Sequence, residues 1–225
     1  MKVAFLIPSK SRETWDKDPL IIKTIHSIGT TICPEHAYKI FIGFDADDSY
    51  YNNSIYVAEV KKSTELYNIG LETVKLDIEK GWLTKMWNKL ADLAYAEGFD
   101  YLYMLGDDIQ FLNKGWVNES IKTLNRTNNI GMTGPTEVNN TRILTQCFVH
   151  KTHYEIFKYL LPEEIKNWYC DDWMNLIYDV KRIKHTCRNS GGAERYTINR
   201  NSSNLKYLVV RDKVKIYRFK MENKN

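Results

Sequence analysis

At 225 residues the chain has room for one large domain or two small ones. Its 43% hydrophobic content supports a real core, and its 27% charged content supports a soluble surface. A net charge of +4 is too mild for a nucleic-acid binder, which concentrates a basic patch, but it suits an anionic small-molecule ligand.

Residues 3–7 read as the first buried strand. The loop after it, Pro8-Ser9-Lys10-Ser11-Arg12, offers N–H groups and hydroxyls to a nucleotide, and the Arg12 fork suits a phosphate. It lacks the spacing of a P-loop or of G-x-G-x-x-G. Residues 19–30 carry apolar side chains at helical spacing, with Asp18 as N-cap and Pro19 at the first position. A second strand is predicted over 38–44, closed by Asp45-Ala46-Asp47-Asp48, and a third over 71–78. A carboxylate at Asp45 suits a base or ribose, although Asx-rich loop openings are common. The clearest helix covers 81–97, with Leu83, Met86, Trp87, Leu90, Leu93 and Ala94 on one stripe and Gly98 as its stop.

The strand that follows ends in Gly106-Asp107-Asp108. Gly106 suits a tight turn. The two carboxylates then fall at the carboxyl end of a central strand, where open α/β sheets bind ligands. Adjacent carboxylates repel, and Mg²⁺ or Mn²⁺ relieves that repulsion, with substrate phosphates completing the shell. This alternation predicts an α/β fold with a mostly parallel sheet flanked by helices.

In the second half, helices are predicted over 116–124, 151–160 and 171–180, and strands over 130–133 and 143–149 at a mixed edge. Asp171 and Asp172 open a helix; capping accounts for one acid, and a helix start beside a cleft suits a general base. Residues 185–202 read as a polar, Gly-bearing loop containing His185, and 203–220 as a C-terminal helix. No repeat or linker divides the chain. It reads as a single domain over 1–225, with a nucleotide-binding half (1–110) and an acceptor-binding half (111–225).

The four cysteines form no C-x-x-C pair, which argues against zinc and for a reduced, cytoplasmic setting. No segment approaches the ~20 apolar residues of a membrane span.

The order of these features resembles that of GT-A glycosyltransferases, the nucleotide-sugar-dependent class, and most of all their small inverting family-2-type members. The likeness covers residues 1–190. Phe5-Leu6-Ile7-Pro8-Ser9 resembles the first strand and nucleotide-binding turn of that class. The run Lys85…Asn88…Ala94…Gly98-Phe99-Asp100-Tyr101 resembles the approach to its DxD motif, and Gly106-Asp107-Asp108 stands at the DxD position with the first acid replaced by glycine. The segment from Phe148 to Trp173 also resembles small glycosyltransferases of large DNA viruses and algae, which would place the protein in host cytoplasm or a virion.

The resemblance implies a donor site at Pro8, Ser9, Arg12, Asp45, Lys85, Asn88 and Asp107. It implies a Mn²⁺ or Mg²⁺ ion on Asp108 and His185, and an acidic pair of Asp171 and Asp172 with Asp172 as base. UDP is the default nucleotide, with GDP and dTDP open, and the acceptor is a glycan or protein. Trp116, Trp168 and Trp173 are candidates for an apolar floor under a sugar, and the loop at Gly191-Gly192 for a lid. The competing readings are a sugar nucleotidyltransferase, a non-catalytic nucleotide- or glycan-binding module, and a metal-dependent nuclease.

Overall fold

The computed structural model describes residues 1–11, 14–178 and 180–189. Arg12, the Gly191-Gly192 loop and the predicted C-terminal helix lie outside the described residues. β1 (Lys2–Pro8) is the hub, pairing in parallel with β2 (Ala37–Asp45) on one side and β4 (Tyr101–Met104) on the other. β3 (Gly70–Leu76) extends the parallel half beyond β2.

The polarity then changes. β7 (Cys147–His150) runs antiparallel to β4, and β6 (Thr133–Glu137) antiparallel to β7. β8 (Lys181–Asn189) lies parallel to β6, and β5 (Ile109–Phe111) closes the sheet antiparallel to β8. Among the described residues this is one eight-stranded mixed sheet, in the order β3-β2-β1-β4-β7-β6-β8-β5.

Strand periodicity divides the core in two. Val3, Phe5 and Ile7 of β1 and Tyr101 and Tyr103 of β4 face one layer, with Tyr56 and Val60 of α2 (Ser54–Glu65) and Trp116 and Val117 of α4 (Trp116–Asn125). Leu20 and Ile25 of a π-helical segment, Leu20–Ile25, and Ile28 of α1 (His26–Thr31) complete that layer. Ala4, Leu6, Leu102 and Met104 face the other layer. There they meet Trp87 and Leu90 of α3 (Leu83–Ala96), Phe157 of α5 (Thr152–Phe157) and Trp173 of α6 (Cys170–Ile177). Burial on both faces explains why these strands read as continuous apolar runs.

Four features differ from the expectation. The predicted 19–30 helix begins as a π-helix, where the Leu20 N–H donates to Asp18 Oδ1 at 2.9 Å. α2 and β5 carry too weak a periodicity or too few residues to announce themselves. The strands expected at 130–133 and 143–149 start later, at Thr133 and Cys147, because pairing with β8 and β4 sets their register. Residues 185–189 belong to β8 rather than to a loop, since β6 and β5 supply backbone partners that a polar sequence does not reveal.

His153 is a buried residue of α5. Its Nδ1 stands 2.6 Å from the Tyr178 hydroxyl and its Nε2 2.9 Å from the Leu160 carbonyl oxygen. Burial pushes this imidazole down to about 4. The unfolded chain therefore takes up the proton first. Stability is fully present above the ordinary histidine value of about 6.5 and declines as pH falls toward 4, by up to about 3 kcal/mol. Urea unfolding at pH values across this window checks it; a flat profile in wild type, or an equal slope in His153→Gln, contradicts it.

Candidate functional site

The carboxyl ends of β1, β2 and β4 lie side by side, because the three strands are parallel neighbours. Parallel order thus gathers the Ser9 loop, the Asp45 loop and the Gly106-Asp107-Asp108 turn at one edge. Asp107 ties this edge together. Its Oδ2 accepts from the Ser9 hydroxyl at 3.0 Å and the Lys10 N–H at 3.4 Å, and its carbonyl accepts from Thr24 Oγ1 at 2.9 Å. Ser9 is buried, and its hydroxyl also accepts from Tyr51 at 3.0 Å. Pro8 is paired with Gly43 inside the sheet. These residues shape this edge of the sheet from within.

Asp45 ends β2 opposite Leu76, partly exposed. Beside it Asp48 is buried and accepts from the Ser11 N–H, the Ser11 hydroxyl and the N–H groups of Tyr50 and Tyr51 at 2.7–3.0 Å. It closes the β2 loop onto the β1 loop. The signal for it in the sequence was the Asx spacing to the two tyrosines.

The reason for Gly106 differs from the expected one. It does not adopt a positive φ. A Cβ built there would stand 3.1 Å from Asp108 Oδ1, a close contact that the Asp108 side chain would have to relieve by a small shift.

On the other side, the Gly106 N–H donates to Gln146 Oε1 at 2.9 Å. Two residues earlier the Leu144 N–H donates to Asn175 Oδ1 at 3.0 Å, and Asn175 Nδ2 donates to the Leu144 and Asp171 carbonyl oxygens at 2.9 and 2.7 Å. This chain of bonds links the Gly-Asp-Asp turn to the first turn of α6. Antiparallel β4–β7 pairing puts residues before Cys147 beside those after Met104, which is why the link forms.

α6 opens on Tyr169, a non-glycine residue at φ 73, and carries Asp171 and Asp172 in its first turn. Asp171 Oδ1 accepts from the Asp172 N–H at 2.9 Å. Burial, and then the charge of Asp172, push the Asp171 carboxyl up to about 6. Asp172 pairs in a fork with Arg142, at 2.8 and 3.4 Å. Gln146, Asn175 and Arg142 had no spacing signal; Arg142 and Gln146 enter through the β6–β7 connection and Asn175 from α6.

His185, Asn88, Trp116 and Trp173 differ from the expectation, and Lys85 is engaged by an indole ring. His185 lies on β8 four residues before Asn189, the partner of Ile109, so at ~3.3 Å per residue it is about 13 Å along the strand from the neighbourhood of Asp108. The structure does not bring His185 to Asp108. Asn88 is buried in α3, where its amide bonds the Leu160 N–H and the Leu161 N–H and carbonyl at 2.8–3.1 Å, bracing the segment after α5. Lys85 Nζ sits 3.7 Å over the Trp82 ring. Trp116 and Trp173 are fully buried and offer no surface to a sugar, whereas Trp168 is half exposed.

The fold has known counterparts. TarS of S. aureus, a GT-A-type glycosyltransferase, superposes with a TM-score of 0.64 at 12% identity, over 94% of this chain and 39% of that one. The structure of TarS 1–349 superposes with a TM-score of 0.59 at 13% identity, over 96% of this chain and 65% of that one.

The chain has a GT-A-like fold.

The chain thus spans under two thirds of either TarS structure, and at this identity the likeness carries the fold alone. No family model matches the sequence, and no curated protein sequence matches it. Among the described residues no helix is long and apolar enough to cross a membrane.

Proposed function

We propose that this GT-A-like chain is a glycosyltransferase that moves a sugar from a nucleotide-sugar donor, by default a UDP-sugar, to an acceptor hydroxyl with inversion. One observation carries this reading. The Gly-Asp-Asp turn is tied on one side to the β1 loop and on the other, through Gln146, Leu144 and Asn175, to the acidic start of α6. A site for a charged donor and a site for a base thus share one edge of the sheet.

The donor set at the turn fits a hard cation. Among the described residues no three His, Cys, Asp or Glu side chains converge, so the protein would offer Asp108, with Asp107 beside it, and the diphosphate would complete the shell. Such an ion would neutralise the charge on the departing diphosphate. Asp172 takes the proton from the acceptor hydroxyl, which attacks the anomeric carbon opposite the leaving group. Asp107, Ser9 and Asp48 hold the β1 and β2 loops in the shape that receives the nucleotide. In this reading residues 1–110 form the donor half and 111–225 the acceptor half.

Calorimetric titration of UDP, GDP and dTDP, each with and without Mn²⁺, tests the reading on wild type and Asp108→Ala. The expected result is Mn²⁺-dependent binding of one nucleotide, weakened at least tenfold in the variant, on the order of 1.4 kcal/mol. No binding of any nucleotide to the folded protein overturns it. Binding without transfer to any glycan or protein acceptor favours a non-catalytic binding module.

A further inference from the structure

The β6–β7 connection grips the first turn of α6 at two levels. Its backbone does so through Leu144 and Asn175, as described. Its side chain does so through Arg142, thirty residues away in sequence from Asp172. Arg142 is itself held: its N–H donates to Asn140 Oδ1 at 3.2 Å, and its carbonyl accepts from the Arg182 guanidinium of β8 at 2.8 Å. The guanidinium is 65% exposed and the Asp172 carboxylate 21%. An ion pair that open to water adds little to folding, so its geometry calls for another account.

The account lies in the charge balance of α6. Two adjacent carboxylates repel, and burial makes ionisation of the inner one costly. The groups that face Asp171 are Asp172, Arg142, Cys170 of its own helix and Cys147 of β7, with Tyr169 beside Arg142. Among the described residues Arg142 is the one cation in that set. We propose that Arg142 is a positioning residue for the acidic pair: its fork orients the Asp172 carboxylate, and its charge lets Asp171 and Asp172 be ionised side by side. A carboxylate has about four lone-pair sites. The fork engages both oxygens from one side and leaves the others for an incoming hydroxyl proton. This inference rests on the transferase reading above, in which Asp172 is the base.

The test compares wild type with Arg142→Lys, Arg142→Gln and Arg142→Ala across the acidic limb of the kcat–pH profile, with donor KM measured alongside. In wild type the acidic limb reports protonation of the acidic pair at the start of α6. Loss of the cation moves it up by on the order of one pH unit in Arg142→Gln and Arg142→Ala, while Arg142→Lys keeps most of the wild-type limb. Donor KM stays unchanged. A uniform loss of rate with an unmoved limb overturns the proposal in favour of a merely structural role. In the Asp172→Asn background, Arg142→Ala adds no further loss; additive losses overturn the proposal as well. The carbon-13 titration of the Asp171 carboxyl reads the countercharge without turnover. A higher midpoint in Arg142→Ala supports the proposal, and an unchanged one overturns it whatever the activity. Failure of the transferase reading looks different: wild type itself binds no nucleotide and transfers no sugar.

Discussion

Asp172→Asn lowers kcat by about 10²–10⁴-fold and leaves nucleotide binding unchanged. The substitution keeps the size of the side chain and one oxygen for the Arg142 fork, so the loss reports the missing negative charge. The backbone of the acidic turn is unaffected, because the Asp172 N–H is bonded to Asp171 and not to its own side chain. Single-turnover transfer assays with saturating donor, beside nucleotide titration of the same preparation, separate the two quantities. Retained transfer removes Asp172 from the mechanism. Loss of transfer together with loss of donor affinity would mean that the turn of α6 supports the nucleotide edge instead. The bonds that would carry that second pattern run from the Asp171 carbonyl through Asn175 to Leu144, two residues from the glutamine that holds Gly106.

Trp116→Ala destabilises the protein by about 3–5 kcal/mol, the range for truncating a buried tryptophan. Trp116 has no exposed surface. Its ring stacks on Phe111 at a centroid distance of 4.2 Å and an angle of 4°, and meets Tyr103 at 5.2 Å and Phe5 at 6.2 Å. Its indole N–H donates to Thr31 Oγ1 at 3.0 Å. Truncation leaves a cavity and a buried hydroxyl without its donor. For a chain of this length the thermal midpoint falls by roughly 6–20 °C. Tyr103 lies in β4 and Phe111 in β5, on either side of the Gly-Asp-Asp turn, so under the proposed function the same change also weakens nucleotide binding. Calorimetric melting of Trp116→Ala and Trp116→Phe checks this. A loss below about 1 kcal/mol in the alanine variant would show that the layer repacks freely around the gap.

The two experiments probe different ends of one construction. The aromatic layer fixes the strands, and the strands fix where the carboxylates stand. An intact Asp172 on a loosened sheet fails through donor affinity. An altered Asp172 on an intact sheet fails through the chemical step.

Much of the frame is legible in the amino-acid order. β1, β2, β4 and α3 announce themselves because their apolar positions follow the period of a buried strand or of a one-sided helix, which is a local property. The Gly-Asp-Asp turn and the acidic start of α6 are legible for the same reason: one sits where a periodic segment stops and the other where one starts. Their chain order, set against the GT-A pattern, was enough to state the fold. What lies between the elements is not local. Asn88 looks like a polar residue free to meet a ligand until α5 and the segment after it close over α3 and take its amide. His185 looks like a loop ligand until β6 and β5 draw it into a strand. Gly106 looks like a residue needed for a tight turn until its backbone proves not to require positive φ and its nearest contact proves to be Asp108. Trp116 and Trp173 look like a sugar floor until both layers bury them. Arg142 carries no signal at all, because its meeting with Asp172 depends on antiparallel pairing of β4 with β7 and on the packing of α6 against that connection. Period and turn chemistry act over a few residues and determine the elements. Pairing register and burial act between residues distant in sequence, and they alone decided which side chains reach the edge where the chemistry is proposed.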